Sequence, residues 1–297
     1  MRITLYYGPN AASSMCLTDG TVCRLLGQDG TGESPVHRIE ERGPQQHGAT
    51  DVDYRLDPRE VQLALWINGV SLADLETKRK TLIDALRPSV VAKRLRFTLD
   101  NGETYQIDGH SAGSMTMPLE GGSGYSLRTG VVFRAPDPTF YDPDTATVSY
   151  FLGGSAGTAS LVPMPVPMFV GASTLDASQA VDYAGTWRAH PRITIYGPIS
   201  GPKITNSSTN EVLELSGVSV AAGNWYTIDL RYGYKTVTNS AGVNKITELS
   251  NASDLATWHI ADDSEVTDGV NVIRVSGTAA TGATRIQLLY NERFVGI

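Results

Sequence analysis

Histidines and carboxylates are the side chains of this 297-residue chain that could carry out a hydrolysis. The five histidines are widely scattered: His37, His47, His110, His190 and His259. None lies in an HExxH pattern or beside a GxSxG serine, the spacings that would hold a zinc ion or a nucleophile in place. Glycosidases need two carboxylates about 5 to 10 Å apart, and spacing marks out no such pair among the 31 acidic residues. The sequence therefore predicts a protein that is not an enzyme.

Acidic and glycine-rich segments are the remaining candidates for binding ions or phosphate. The acidic residues of 137–144 and 262–268 do not have the spacing of an EF-hand loop, so we interpret both segments as solvated turns. The glycines of 121–124 and 153–154 lack the strand, helix and lysine context of a phosphate loop. Two cysteines without a nearby histidine pair cannot form a zinc site. We expect neither a metal nor a cofactor.

Tryptophans suggest one further chemistry, the stacking of aromatic rings on sugars. Trp187, Trp225 and Trp258 have tyrosine neighbours in the second half of the chain. One interpretation is a glycan contact through Trp225 and Trp258, which would make the protein a carbohydrate-binding module at a host cell surface. The other is packing in the core and at sheet edges, since a fold alone confers no sugar site.

Charge and composition exclude two classes of binding. The chain has 24 basic and 31 acidic side chains, a net charge of −7, and no Lys/Arg-rich block. Because nucleic-acid binders gain most of their affinity by neutralising phosphates, we expect no specific nucleic-acid binding. No run approaches the roughly 20 apolar residues of a membrane span, and MRITLYYGPN lacks the pattern of a signal peptide. We expect folding in a cytoplasm and no membrane insertion.

The two cysteines, Cys16 and Cys23, flank a candidate two-residue turn at Asp19-Gly20. The spacing predicts a hairpin in which Leu17 pairs with Val22 and the cysteines pair with each other. A cross-strand disulfide is one interpretation. The other is two reduced, packed thiols, which a cytoplasmic origin and a Cα separation of about 5.5 Å at a hydrogen-bonded pair favour.

A strand and a helix come first among the elements that must position these residues. Glu60 to Ile67 alternates between apolar and polar residues, which predicts a strand with one buried face. Ser71 then begins a helix that Pro88 ends, and Ser71 and Asp74 resemble a capping box. The helical spacing is carried by Leu72, Leu75, Arg79, Leu82, Ile83 and Leu86. We expect an amphipathic helix that lies on a sheet.

Further strands complete a first domain. Leu95 to Ile107 predicts a hairpin around Asp100-Asn101-Gly102, and Ser126 to Phe133 predicts another strand. The prolines of 135–143 then stop regular pairing. We place the first domain, β-rich with one helix, at residues 1–145.

The next segment, residues 146–190, is rich in Gly, Ala, Ser and Pro and is predicted to be a connector. Leu161 to Phe169 has a proline at every second position, which favours a stiff extended conformation. One interpretation is a proline-rich docking ligand. The other is a connector along a sheet edge, which the Met, Val and Phe residues between the prolines favour.

Short apolar runs separated by turn-forming residues fill the remainder, residues 191–297. Strands at this spacing, with no helix between them, predict an antiparallel β-sandwich. The predicted fold class is therefore mainly β with two domains.

Several stretches resemble the siphophage distal tail protein family in their order and spacing. In the first domain they are Tyr54 to Leu63, the strand and helix that follow, and Val132 to Tyr141. In the second they are His190 to Asn206, Tyr226 to Asp229, Leu255 to Ile260, Gly269 to Ile273 and Phe294 to Ile297. The family has a glycine in one turn where this chain has Asn210. Asparagine also tolerates positive φ, so we expect the turn to survive.

The resemblance implies a structural subunit of a bacteriophage tail tip. It implies a homohexameric ring of N-terminal domains around a channel for DNA, with galectin-like C-terminal domains that project outward. Its partners would be copies of itself, the tail tube protein, the tail-tip hub protein and, in some phages, side fibres or receptor-binding proteins. The protein would lie at the tail tip of the virion after assembly in the host cytoplasm.

Interface residues follow from position, because the family has no catalytic motif to transfer. We expect them at the strand and its approach, Tyr54, Arg55, Arg59 and Trp66, and at the proline corner, Pro136, Phe140 and Tyr141. Ordinary surface charge is the alternative interpretation of the two arginines.

Overall fold

A computed structural model describes residues 1–8, 13–113, 115, 117, 125–151 and 173–297. The chain divides into two compact units, unit 1 with Met1–Pro143 and Phe294–Ile297, and unit 2 with Asp144–Arg293. The glycine loops and the proline-rich run of the sequence analysis lie outside the described residues. The mainly β fold class is confirmed. No helix in the described ranges is long and apolar enough to cross a membrane.

Unit 1 contains one large antiparallel sheet, a separate hairpin and one α-helix among its described residues. Its elements are β1 Arg2–Tyr7, β2 Ser13–Cys16, β3 Arg24–Asp29, β4 Val36–Glu41, β5 Thr50–Leu56, β6 Arg59–Asn68, α1 Leu72–Leu86, β7 Lys93–Thr98, β8 Thr104–Ser111, β9 Ser126–Ala135 and β10 Phe140–Tyr141. The large sheet has the order β2-β1-β7-β8-β9-β6-β3, with β10 and the C-terminal β21, Arg293–Phe294, attached.

Strand β6 confirms the predicted alternation. Its odd-numbered residues from Arg59 to Ile67 are buried and its even-numbered residues face outward. Helix α1 also forms as predicted. The Ser71 hydroxyl accepts from the Asp74 amide at 3.2 Å, while the Asp74 carboxylate accepts from the Val70 amide.

The buried stripe of α1 is narrower than the sequence spacing suggested. Leu75, Leu82 and Leu86 lie in the core, whereas Leu72 and Ile83 are exposed. The predicted β7–β8 hairpin is confirmed, since Thr98 pairs with Thr104 around the turn at 99–103.

The hairpin predicted between the two cysteines does not form. Strand β2 pairs with β1 instead, and β3 pairs with β6, so Cys16 and Cys23 are not cross-strand neighbours. Residue Leu17 continues the pairing by donating its amide to Ile3 at 2.9 Å. Both thiols are free, and burial raises the pKa of Cys23 to about 12.

Unit 2 is an antiparallel β-sandwich. Its elements are β11 Ala146–Phe151, β12 Ser173–Asp182, β13 Arg192–Tyr196, β14 Ile199–Asn206, β15 Glu211–Glu214, β16 Ser219–Val220, β17 Trp225–Asp229, β18 Thr236–Asn239, β19 Val270–Ala280 and β20 Arg285–Tyr290, with 3-10 turns at Ile246–Glu248 and Thr267–Gly269. One sheet has the order β11-β20-β13-β17-β18 and the other β12-β19-β14-β15, with β16 paired to β14. Buried residues of both sheets form a single core, so the sheets pack face to face.

The turn at Asn210 agrees with the sequence prediction, whereas the predicted connector 146–190 contains two strands. Asn210 adopts a φ of 61°, so the turn keeps its conformation without a glycine, as predicted. The segment 146–190 is not only a connector, because its described part supplies β11 and β12, one to each sheet. The Gly and Ser content concealed these strands, which pair along their full length with β20 and β19.

Candidate functional site

The β4–β5 hairpin is the most exposed element of unit 1. Its two strands pair only with each other in the part of the chain that the structure describes. Nearly every residue of both strands is exposed. A two-stranded hairpin is marginally stable in water, because it buries little apolar surface and leaves both backbone edges unpaired.

The two faces of the hairpin differ in polarity. Val36 lies opposite Leu56, and Arg38 lies opposite Tyr54, so these four side chains share one face. Val52 is the extra residue of a bulge and follows the alternation of Tyr54 and Leu56. Val52 and Tyr54 are 54% and 45% exposed. This side also carries Arg38, which forms an exposed ion pair with Asp51. We call the side with Val36, Val52, Tyr54 and Leu56 the apolar hairpin face.

The opposite face carries His37, Ile39, Asp53 and Arg55. It is therefore largely polar, and Arg55 and Tyr54 point to opposite sides. An exposed apolar stripe on an unpaired hairpin is typical of a surface that another chain covers. Of the predicted interface residues, Tyr54 is the one on this stripe.

Arg59 is not a surface residue, which corrects its prediction as an interface contact. The side chain is 1% exposed, and its guanidinium lies 4.7 Å from the centre of the Phe140 ring. All five of its N–H donors are used. The acceptors are the carbonyls of Gly30, Gly32, Pro138 and Val295 and the hydroxyl of Ser34, which we call the Arg59 network.

The Arg59 network joins four segments of unit 1 through neutral oxygens only. Four of the bonds have lengths of 2.6 to 2.7 Å. Gly30 has a φ of 87°, and a Cβ there would lie 2.1 Å from the Glu60 carbonyl oxygen, so the close approach requires glycine. Burial lowers the pKa of Arg59, but an arginine stays charged at any ordinary pH.

The proline corner contains both exposed and buried residues. Pro136 is exposed, whereas Phe140 is completely buried and makes an edge contact with Phe97 at 5.6 Å. Phe140 is thus a core residue and not an interface residue. The Tyr141 hydroxyl donates to Asp108 at 2.8 Å, and burial together with Asp108 raises its pKa. Tyr141 is half-buried.

Trp66 is half-buried on the outward face of β6. The register places it between Arg24 of β3 and Arg128 of β9, both of which are exposed. It belongs to the even-numbered face of the strand, opposite the core, so the structure leaves it available for an interface.

The two tryptophans predicted for glycan contact have different surroundings. Trp258 is 0% exposed and belongs to the core of unit 2, which corrects its prediction as a glycan contact. Trp225 is 40% exposed. It lies opposite Tyr196, which lies opposite Arg285, which lies opposite Phe151. These four residues, on four adjacent strands, form what we call the Trp225 row.

His259 lies between two carboxylates in unit 2. Its Nε2 is 2.6 Å from Glu265, and its Nδ1 is 2.8 Å from the Thr257 carbonyl and 3.1 Å from Glu211. Burial opposes the charged form, but the hydrogen bonds to Glu211 and Glu265 outweigh it and raise the pKa of His259. We call His259, Glu211 and Glu265 the His259 cluster. Arg188 pairs with Glu265 at 2.5 Å.

Neighbouring His190 has the opposite shift. Its Nδ1 is 3.1 Å from the Trp258 carbonyl, and its ring packs on Tyr232 at 4.6 Å. Burial and the charge of Lys235 lower its pKa to about 4. Among the described residues no three His, Cys, Asp or Glu side chains are arranged to hold a metal ion.

Sequence reasoning missed two groups of surface residues. Val52, Tyr54 and Leu56 alternate with Asp51, Asp53 and Arg55, and this period of two could have predicted the strand. Arg285, Tyr196 and Phe151 had no such signal, because only strand pairing brings them beside Trp225.

Comparisons with known proteins show a similarity to phage tail proteins in unit 1. Residues 21–107, from β3 into β8, match the family model of the phage tail protein RIFT-related domain. The whole chain is similar in fold to the Dit protein (gp 19.1) of phage SPP1, a paradigm of the hub adsorption apparatus in phages that infect Gram-positive bacteria. The TM-score is 0.65 at 14% identity, over 98% of this chain and 99% of that one.

Other comparisons add little. A chain of the phage P2 baseplate, in its activated conformation with Ca, matches with a TM-score of 0.44 at 10% identity. The match covers 95% of this chain and 98% of the baseplate chain. No curated protein matches the chain. The resemblance to siphophage distal tail proteins is confirmed in the domain of unit 1 and in the fold of the whole chain.

Proposed function

We propose that this protein is a structural subunit of a bacteriophage tail tip, with no catalytic activity, that forms a homohexameric ring through the apolar hairpin face. The ring joins the distal end of the tail tube to the tail-tip hub, and DNA passes through its channel. Its partners are copies of itself, the tube protein and the hub protein, with side fibres or receptor-binding proteins attached in some phages. The assembled ring lies in the virion.

The observation that carries this proposal is the hairpin itself. It exposes Val36, Val52 and Tyr54 on one face and leaves both strand edges open among the described residues. A closed ring supplies every subunit with the same neighbour, so it covers each hairpin without leaving a free copy of the surface. The phage tail domain that contains the hairpin supports the same conclusion.

The charge balance supports passage of DNA without binding. The chain carries a net charge of −7. If this acidic surface lines the channel, it repels phosphates, so a double helix slides past it without being held. This property would suit a ring that transmits the genome.

Mass measurement of the purified protein tests the ring. Light scattering after size exclusion is expected to give about six times the subunit mass of 31.9 kDa, and electron micrographs are expected to show sixfold rings. A single-subunit mass at high protein concentration would contradict the proposal, and so would a closed assembly of another number.

A hairpin variant tests the interface. Tyr54→Asp places a carboxylate on the apolar hairpin face and is expected to leave folded single subunits, because burying an unpaired charge costs several kcal/mol. His37→Asp is the matched control, since it adds the same charge on the opposite face and is expected to keep the ring. Equal masses for the two variants would exclude this face as the contact.

A further inference from the structure

The Trp225 row lies on the face of its sheet that points away from the core. Along β20 the residue after Arg285 is the buried Ile286, and along β13 the residue before Tyr196 is the buried Ile195. Because successive side chains of a strand point to opposite faces, Arg285 and Tyr196 must face outward. Residues directly opposite on neighbouring strands share a face, so Phe151 and Trp225 face outward with them.

A shallow pocket of about 390 Å³ is formed at this row. Besides the four row residues, Asn224, Gly223 and Gly282 contribute to its wall. The volume lies in the range of ordinary small-molecule sites. Apart from the two chain neighbours of each glycine, no atom of the described residues lies within 4 Å of where a Cβ of Gly223 or Gly282 would be, so the rim leaves room for a ligand.

Arg285 is the charged residue of this pocket. Its guanidinium stacks on the Tyr196 ring at 4.3 Å. No carboxylate or carbonyl of the described residues accepts a hydrogen bond from it, in contrast to Arg94, Arg231 and Arg274, which each pair with an aspartate. Stacking fixes the plane of the fork while its N–H groups remain available, and a planar fork matches the two oxygens of a carboxylate or phosphate.

Trp225 supplies an apolar surface beside that charge. Its ring centre lies 6.3 Å from that of Tyr196, with 43° between the planes. The indole is large and partly exposed, which suits stacking against a flat apolar group. One face of a pyranose ring carries several C–H groups and packs on such an indole, while the hydroxyl groups around its edge need donors and acceptors.

Polar groups for those hydroxyls lie next to the row. The side-chain oxygen Oδ1 of Asn224 accepts from the Ser240 hydroxyl at 3.2 Å, so the side-chain nitrogen Nδ2 points elsewhere. The adjacent outward row consists of hydroxyl and amide side chains. Its partly exposed members, in register, are Ser149, Gln287, Thr227 and Thr238, while Thr194 of the same row is buried. We propose that this pocket binds a saccharide ring that carries an acidic group, with Trp225 stacked on the ring and Arg285 paired to the carboxylate or phosphate.

Titration of the purified full-length protein tests the site. The probes are glucuronic acid, glucose 6-phosphate, glucose, inorganic phosphate and adenosine monophosphate, and binding is measured by NMR or tryptophan fluorescence. Saturable binding is expected for the two acidic sugars, with affinity at least tenfold higher than for glucose or for phosphate alone. The difference arises because only the acidic sugars use Trp225 and Arg285 together.

Two variants and two matched controls assign the residues. Trp225→Ala and Arg285→Gln are each expected to weaken binding of glucose 6-phosphate at least tenfold. Tyr234→Ala removes another exposed aromatic with a stacked arginine, and Arg192→Gln removes another exposed arginine of the same sheet. Both controls are expected to bind as the unchanged protein does.

Three results would overturn the inference. Binding of phosphate as tight as that of glucose 6-phosphate would indicate a simple anion site. Tighter binding of adenosine monophosphate would indicate a nucleotide site. Absence of saturable binding by every sugar probe would leave no saccharide site. All variants lie outside the apolar hairpin face, so the subunit mass of the assembly reports on the ring independently.

Discussion

Unit 1 and unit 2 each bury a basic side chain, and they stabilise its charge in different ways. Arg59 donates all five N–H groups to neutral oxygens. His259 lies between the carboxylates of Glu211 and Glu265. A buried charge is costly unless its surroundings compensate it, and both arrangements do so.

The difference lies in what each arrangement does when the pH changes. No member of the Arg59 network gains or loses a proton between pH 4 and 9, because carbonyls, a hydroxyl and a guanidinium keep their protonation there. The His259 cluster and the adjacent His190 contain groups that titrate in this range. We therefore expect the segments that Arg59 joins to be insensitive to pH, and unit 2 to be sensitive.

The largest expected effect is the loss of the Arg59 network. Arg59→Met removes five hydrogen bonds to four carbonyls and the Ser34 hydroxyl, which is expected to cost about 4 kcal/mol in the free energy of unfolding of unit 1. Hydrogen exchange measured by mass spectrometry is expected to show lost protection at residues 30–34 and 294–297. Arg59→Lys restores the charge with three donors and is expected to recover part of the loss.

Arg55→Met is the matched control for this substitution. Arg55 is exposed on the hairpin, and its replacement is expected to change the free energy of unfolding by less than about 0.5 kcal/mol. Similar unfolding of both variants would mean that the network does not stabilise unit 1.

The next effect belongs to His190, whose pKa is lowered to about 4 by burial and by Lys235. Below pH 6.5 the unfolded chain binds a proton at this residue that the folded unit does not. The contribution of neutral His190 to the stability of unit 2 is therefore fully present above pH 6.5. It is lost as the pH falls, and the loss is roughly 2 to 3 kcal/mol at pH 4.5. Denaturant unfolding of unit 2 across this range measures the slope.

His190→Asn is expected to remove that acid slope, since asparagine does not titrate. His259 contributes little in the same window, because it is protonated in both states below pH 6.5. Hydrogen exchange at residues 30–34, corrected for its intrinsic rate, is expected to stay constant over this range. An equal acid slope in the variant would assign the pH sensitivity of unit 2 to another group.

Periodicity predicted much of the fold and very little of these polar sites. The alternation of β6 and the capped helix that follows it were readable because each buries one face. The same alternation could have predicted that Arg59 is buried. Arg59 lies on the same odd-numbered face of β6 as Val61 and Leu63, and this face points into the core. Its charge suggested the surface instead, and an arginine with five neutral acceptors has no sequence signal.

Register is the information that the sequence lacks. The Trp225 row comes from four strands that are far apart in the chain, and a shift of one residue in any pairing would move its side chain to the other face. The Cys16–Cys23 hairpin was wrong for a related reason. Its turn was plausible locally, but β1 and β6 supply better partners for β2 and β3.

The smallest expected effect is the loss of stability of unit 2 above pH 6.5, which reports on His259 alone. Its pKa is raised, so its stabilisation is fully present below pH 6.5 and is lost as the pH rises through the folded value. We expect a loss of about 1.5 kcal/mol, the usual contribution of hydrogen bonds to charged groups. Unfolding of His259→Gln is expected to show no such decline, whereas His190→Asn keeps it.

Since His190 removes stability on the acid side and His259 on the alkaline side, the stability of unit 2 should peak near pH 6.5. A stability that rises steadily to pH 9 would show that the two carboxylates do not hold a proton on His259.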